Sequence, residues 1–104
     1  MQAIINKIEN MNPIHYFLSQ LEEADNNVKN QIENTLVNIG AQAVPELVSQ
    51  LQVVKGVKRG VVAMTLIRIG DASVEYLKKA AADNEDFAWI AKYLISEIKG
   101  SIAA

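Results

Sequence analysis

The feature that most constrains this chain is its likeness to itself at a spacing of thirty residues. Leu36, Ile39 and Gly40 fall on Leu66, Ile69 and Gly70, and Val44, Leu47 and Leu51 fall on Val74, Leu77 and Ala81. In the other direction those last three fall on Ile14, Phe17 and Leu21, so that VPELVSQL at 44–51 matches IHYFLSQL at 14–21. A fixed period of this size marks stacked supersecondary units. Each unit reads as two helices. Val44, Leu47, Val48 and Leu51 are spaced three and four apart in the first, as are Val28, Ile32, Leu36 and Ile39 in the second. That spacing gathers them on one side of a helix of period 3.6. Gly40 and Gly70 suit the left-handed residue that closes a helix, and Pro45 suits a first turn, where its missing N–H costs nothing. The expectation is a shared buried seam along Ile14, Ile32, Leu47, Leu66 and Leu77.

The pattern predicts one domain over 1–104: a cap helix over 1–11 carrying Ile4, Ile5 and Ile8, then units at 13–40, 43–70 and 73–100. Asn12 and Pro13 start a helix over about 13–23, and Asp25-Asn26-Asn27 is a turn and cap for a helix running to Ile39. Further helices are expected over about 43–54, over about 57–69 after the break at Lys55-Gly56, and up to about Ala82, with Asp71 and Ser73 both offering caps. Asp83-Asn84-Glu85-Asp86 is a turn and an acidic helix start, favourable at the positive end of the helix dipole. The last helix then runs to about Lys99, where Gly100 ends it. No strand signal is present.

These residues carry a resemblance to the HEAT repeats, in particular the short thirty-residue kind called PBS-lyase HEAT-like. The matching stretches are the VK, I, L and IG of 28–40, AVPELV at 43–48 and RGVVAMTLIRIGDASVEYL at 59–77. The resemblance covers about residues 13 to 99 and implies an all-α fold, a short right-handed α-solenoid of about three antiparallel helix pairs with an N-terminal capping helix. The sequence departs from the pattern at the apolar opening position of the second helix, which is Val28 in one unit and Lys58 in the next; Val57 or Val61 is left to cover it. The third unit fits best at an offset of fifty-nine (Phe87, Ala91, Ile95, Ile98). The acidic residue usual before the second helix has candidates at Asp25 and Asp86 and none near Gly56.

Composition narrows the function classes. A chain of 104 residues, 50% hydrophobic, suffices for a continuous core but not a thick one. A net charge of −2 argues against a large electrostatic footprint on nucleic acid. The absence of cysteine leaves no disulfide, thiolate nucleophile or Cys-based metal site and agrees with a cytoplasmic setting. The N-terminal MQAIINKIEN lacks the basic-then-apolar build of a signal peptide, and no apolar run reaches the ~20 residues of a membrane span.

No catalytic constellation stands out, and neither a cofactor nor a metal is expected. His15, the single histidine, has no ligand-type companion at ligand spacing and reads as a surface residue. Glu22, Glu23 and Asp25 read as a solvated turn rather than an acid–base pair. Gly56, Gly60, Gly70 and Gly100 are too scattered for a phosphate loop. Lys55, Lys58, Arg59 and Arg68 form the one basic concentration, and Lys29 takes the place of Arg59 one unit earlier. The resemblance implies that Lys29 and Arg59 bridge neighbouring repeats through acidic partners; the alternative is a patch for an anion or an acidic partner. In the last helix, Phe87, Ile90, Ala91, Leu94, Ile95 and Ile98 fill the ~100° stripe that packing needs. Trp89 and Tyr93 then project from another face. They are either a binding hot spot or cover for the preceding helix at Tyr76 and Ala80. The apolar tail Ile102-Ala103-Ala104 leaves two choices: this face binds something, or the tail folds over it.

The reading that follows is a non-catalytic protein–protein interaction module, an adaptor or assembly factor, whose contacts fall on Lys29, Glu33, Arg59, Arg68, Trp89 and Tyr93. The partner is another protein, with no nucleic acid and no membrane; homodimerisation through the helix at 86–99 is a further expectation. The resemblance also implies an alternative, a small phycobilisome-related factor akin to a bilin lyase subunit or to a phycobiliprotein chaperone or degradation factor. In that case the chain is at most an accessory to an enzyme.

Overall fold

A computed structural model describes residues 13–103, with side chains over 14–100. The expected cap helix over 1–11 and the cap at Asn12 lie outside the described residues. The described chain is all-helical: α1 (Pro13–Ser19), α2 (Asn26–Ile39), α3 (Val44–Leu51), α4 (Gly56–Ile69), α5 (Val74–Asp83) and α6 (Ala88–Ala103). Short 3-10 turns at Gly40–Ala43, Gly70–Ser73 and Glu85–Phe87 join α2 to α3, α4 to α5 and α5 to α6.

The thirty-residue period is visible in the backbone. α2 and α4 begin thirty positions apart and end thirty positions apart, each followed by the same 3-10 turn. Gly40 and Gly70 donate their N–H groups to Leu36 O and Leu66 O. Their φ angles, 74° and 85°, are positive as expected, but ψ lies at −139° and −133°, not in the left-handed helical well. Each thus sits at the margin of a region almost restricted to glycine. The chain thereby leaves one helix and enters the next 3-10 turn without an intervening loop.

The starts of the helices follow local chemistry. Asp25 Oδ1 accepts a hydrogen bond from Val28 N at 2.9 Å and caps α2. Pro45 lies in the first turn of α3. Asp71 and Ser73 do not cap α5. Ser73 is buried and donates its hydroxyl to Leu66 O at 2.9 Å, tying the start of α5 to the end of α4. Before α6 the capping oxygen is Asn84 Oδ1, which accepts from Asp86 N at 3.2 Å.

The ends depart further from expectation. α1 stops at Ser19, where the next amides, Gln20 and Leu21, reach back only three residues; Ser19 Oγ also donates to Tyr16 O at 2.6 Å. The turn still buries Leu21. α3 stops at Leu51 in a similar tightening over Gln52 and Val53. α6 passes through Gly100 to Ala103. Gly100 is not among the positive-φ glycines, and glycine in αR costs a helix only ~1 kcal/mol without ending it. The backbone at 101–103 therefore continues the helix and does not fold back.

Packing follows two rows. α2 packs on α4 and α4 on α6; α3 packs on α5; and α4 also meets α3, as α6 meets α5. The core between the rows holds Leu21, Leu36, Leu47, Leu66, Leu77 and Leu94, and all five seam residues are buried. Val61, not Val57, covers the position that Lys58 leaves open: Val61 packs against the core while Val57 is exposed. The molecule is elongated, 48 × 30 × 23 Å. Its radius of gyration of 14.3 Å exceeds the ~13 Å of a compact domain this long.

Candidate functional site

The buried polar groups are spoken for. Thr65 donates to Val61 O at 2.7 Å and Ser73 to Leu66 O, and among the described residues no buried side-chain nitrogen or oxygen lacks a partner. Any site is therefore on the surface, in what the helices hold there.

On α4 the cations separate into two groups. Lys58 Nζ lies 3.2 Å from Glu22 Oε1. Arg68 Nη1 lies 2.6 Å from Glu33 Oε2 and 2.9 Å from Asn34 Oδ1, which ties α4 to α2. The bridge between neighbouring units thus exists, but Arg68 and Lys58 make it. Lys29 and Arg59, which the resemblance put in that role, form no ion pair among the described residues. The reason is rotational: on α4, Arg68 reaches α2, whereas 56, 59, 60 and 63 line the groove shared with α6. Arg59 is half-buried and lines two clefts.

The first cleft, about 240 Å³, lies between the α3–α4 connection and the start of α6 and includes Lys55, Arg59, Asn84 and Asp86. Asn84 Nδ2 donates across it to Gln52 Oε1 at 3.3 Å. The second, about 250 Å³, runs between α4 and α6. Gly56, Gly60 and Ala63 form its α4 side, while Trp89, Ile90, Tyr93 and Leu94 form its α6 side. Trp89 and Tyr93 are 68% and 59% exposed. They line the groove beside α4. Tyr76 is also exposed.

The structure thus brings Arg59, Trp89 and Tyr93 together at one groove and places Glu33 and Arg68 in a separate ion pair between α2 and α4. Lys29, half-buried on α2, joins neither. His15 is exposed, with Gln50 Nε2 3.4 Å from its Nδ1, and Glu22 is taken by Lys58. No group of three or more metal-ligating side chains exists among the described residues, and none of the described helices is long and apolar enough to cross a membrane.

Sequence reasoning missed the groove floor. The signal was present in the period itself: Asn26, Asn30 and Glu33 of one unit become Gly56, Gly60 and Ala63 in the next. Three side chains of the α2 face are stripped from the equivalent face of α4, and a Cβ added at Gly60 would meet nothing within 4 Å. No family model, curated protein or solved structure matches this chain.

Proposed function

We propose that the chain is a non-catalytic protein-binding module, its helix pairs (13–40, 43–70, 73–100) stacked as a short right-handed α-solenoid of the HEAT-like kind. The two-row packing and the thirty-residue repetition of helix boundaries and glycine torsions support the stacking. One observation carries the binding role: a tryptophan and a tyrosine one helical turn apart, both mostly exposed, flank an apolar groove between successive second helices. Large aromatic side chains left in water beside a concavity are what hot spots are made of, because they bury much area for little lost side-chain freedom. The test is affinity capture with wild type against Trp89→Ala/Tyr93→Ala, with melting curves to certify folding. A protein recovered by wild type and lost by the double variant supports the module. Equal recovery by a folded double variant removes this surface.

A further inference from the structure

We infer that the α4–α6 groove takes a segment of another polypeptide that sets a bulky apolar side chain beside a carboxylate. The inference rests on the protein-binding reading above and specifies the chemistry of the partner.

The apolar half of the match is steric. Gly56, Gly60 and Ala63 leave a hollow on α4, and Trp89 and Tyr93 raise a wall of π-surface on α6. A leucine or aromatic side chain entering there touches backbone on one side and ring on the other. An amphipathic segment laid into a groove between helices offers such side chains at regular spacing. The charged half is Arg59. Of the three cations on α4, Lys58 and Arg68 each hold a carboxylate of an earlier element, Glu22 and Glu33. Arg59 is half-buried and lines both clefts, yet makes neither an ion pair nor a side-chain hydrogen bond among the described residues. A guanidinium presents a planar fork shaped for a carboxylate, and partial removal from water strengthens such a pair. Asp86 lines the first cleft together with Lys55 and Arg59, so an acid entering there meets a carboxylate as well as two cations. In the second cleft Arg59 is the one charged residue among the described lining, and the partner's carboxylate is set there, next to the apolar hollow. The chain as a whole is negative, so the attraction is local and selects for where the acid sits.

Trp89 is the single tryptophan, so its emission reports on this groove directly. The experiment selects a random peptide display library on the full chain and titrates the recovered peptides by that emission. Two variants run alongside. Gly60→Leu projects an isobutyl group into the hollow from a Cβ that meets nothing within 4 Å. Arg59→Gln removes the fork. Both are checked by circular dichroism. The expected peptides carry Leu, Phe or Trp within a turn of Asp or Glu and blue-shift the emission. They fail on Gly60→Leu and lose roughly tenfold on Arg59→Gln, the size of a lost charge-assisted hydrogen bond. Three results overturn the proposal: no binders, binders without acid enrichment, or binders indifferent to Gly60→Leu. So do self-association that Gly60→Leu abolishes, which makes a second copy the occupant, and an emission shift produced by a single-stranded oligonucleotide instead. If Trp89→Ala/Tyr93→Ala loses its captured protein while Gly60→Leu and Arg59→Gln keep it, the module stands and the groove assignment falls.

Discussion

Two glycines separate conformational need from spatial need. Gly70 has φ of 85° and ψ of −133°, a combination that side-chain-bearing residues reach only under strain. Gly70→Ala should destabilise by about 1–3 kcal/mol, read as a lower denaturation midpoint. Gly60 is in the helix interior with open space around it. There Gly60→Ala should stabilise by about 1 kcal/mol in the same assay, because alanine has the higher helix propensity. If both substitutions move stability in one direction, the backbone described for one of them is wrong. Gly60 thus weakens α4 where the helix lines the groove. The same scale shows what the sequence made legible. Asp25, Pro45 and the two turn glycines act through their own backbone neighbourhood, so their roles could be read locally. Which cation would meet which acid depended on how α4 is rotated against α2 and α6, and that rotation follows from Val61 taking the covering role instead of Val57.

At the scale of the element, α4 joins the rest of the molecule. It packs on α2, α3 and α6, and its Leu66 is buried with a carbonyl that accepts from both Gly70 N and Ser73 Oγ. Leu66→Ala should cost about 2–5 kcal/mol, the usual range for a large-to-small change in a packed core. Ser73→Ala should cost only about 1 kcal/mol, because Leu66 O keeps its bond to Gly70 and because the preceding unit already holds Ala43 at that place. Chemical denaturation of the two variants checks the order; a larger loss at Ser73 would deny the relation between the units. Helix existence was legible from the spacing of apolar residues. Helix ends were less so, since α1 tightens to three-residue bonds after Ser19 and α6 is carried through Gly100 without a break.

Across the whole molecule, contacts run between neighbours in sequence or next neighbours, and the body is drawn out to 48 Å. For the stacked pairs proposed above, stability is a sum of unit and interface terms, so the interior unit is the best protected. Amide exchange should be slowest in α4 and faster in α1, which has seven residues and, among the described residues, packs chiefly on α2. Exchange that is uniform along the chain would show instead a single cooperative core. The helices and the thirty-residue recurrence of their bounds were legible from the period. The groove was not, because it consists of side chains that one unit lacks and another has, and it shows only when the units are laid over each other.

The backbone on either side of the 3-10 turns has a consequence for how this chain can be cut. Ala43 and Ser73 share torsions (φ −80°, ψ −19° against φ −79°, ψ −24°), and so do Val44 and Val74 (φ −59°, ψ −48° against φ −60°, ψ −48°). Excising 44–73 would therefore splice like onto like, with no torsion to relearn at the junction. The shortened polypeptide should remain helical with a lower melting point. It would seat α6 against Asn26, Asn30 and Glu33, so the hollow would be plugged by the splice itself.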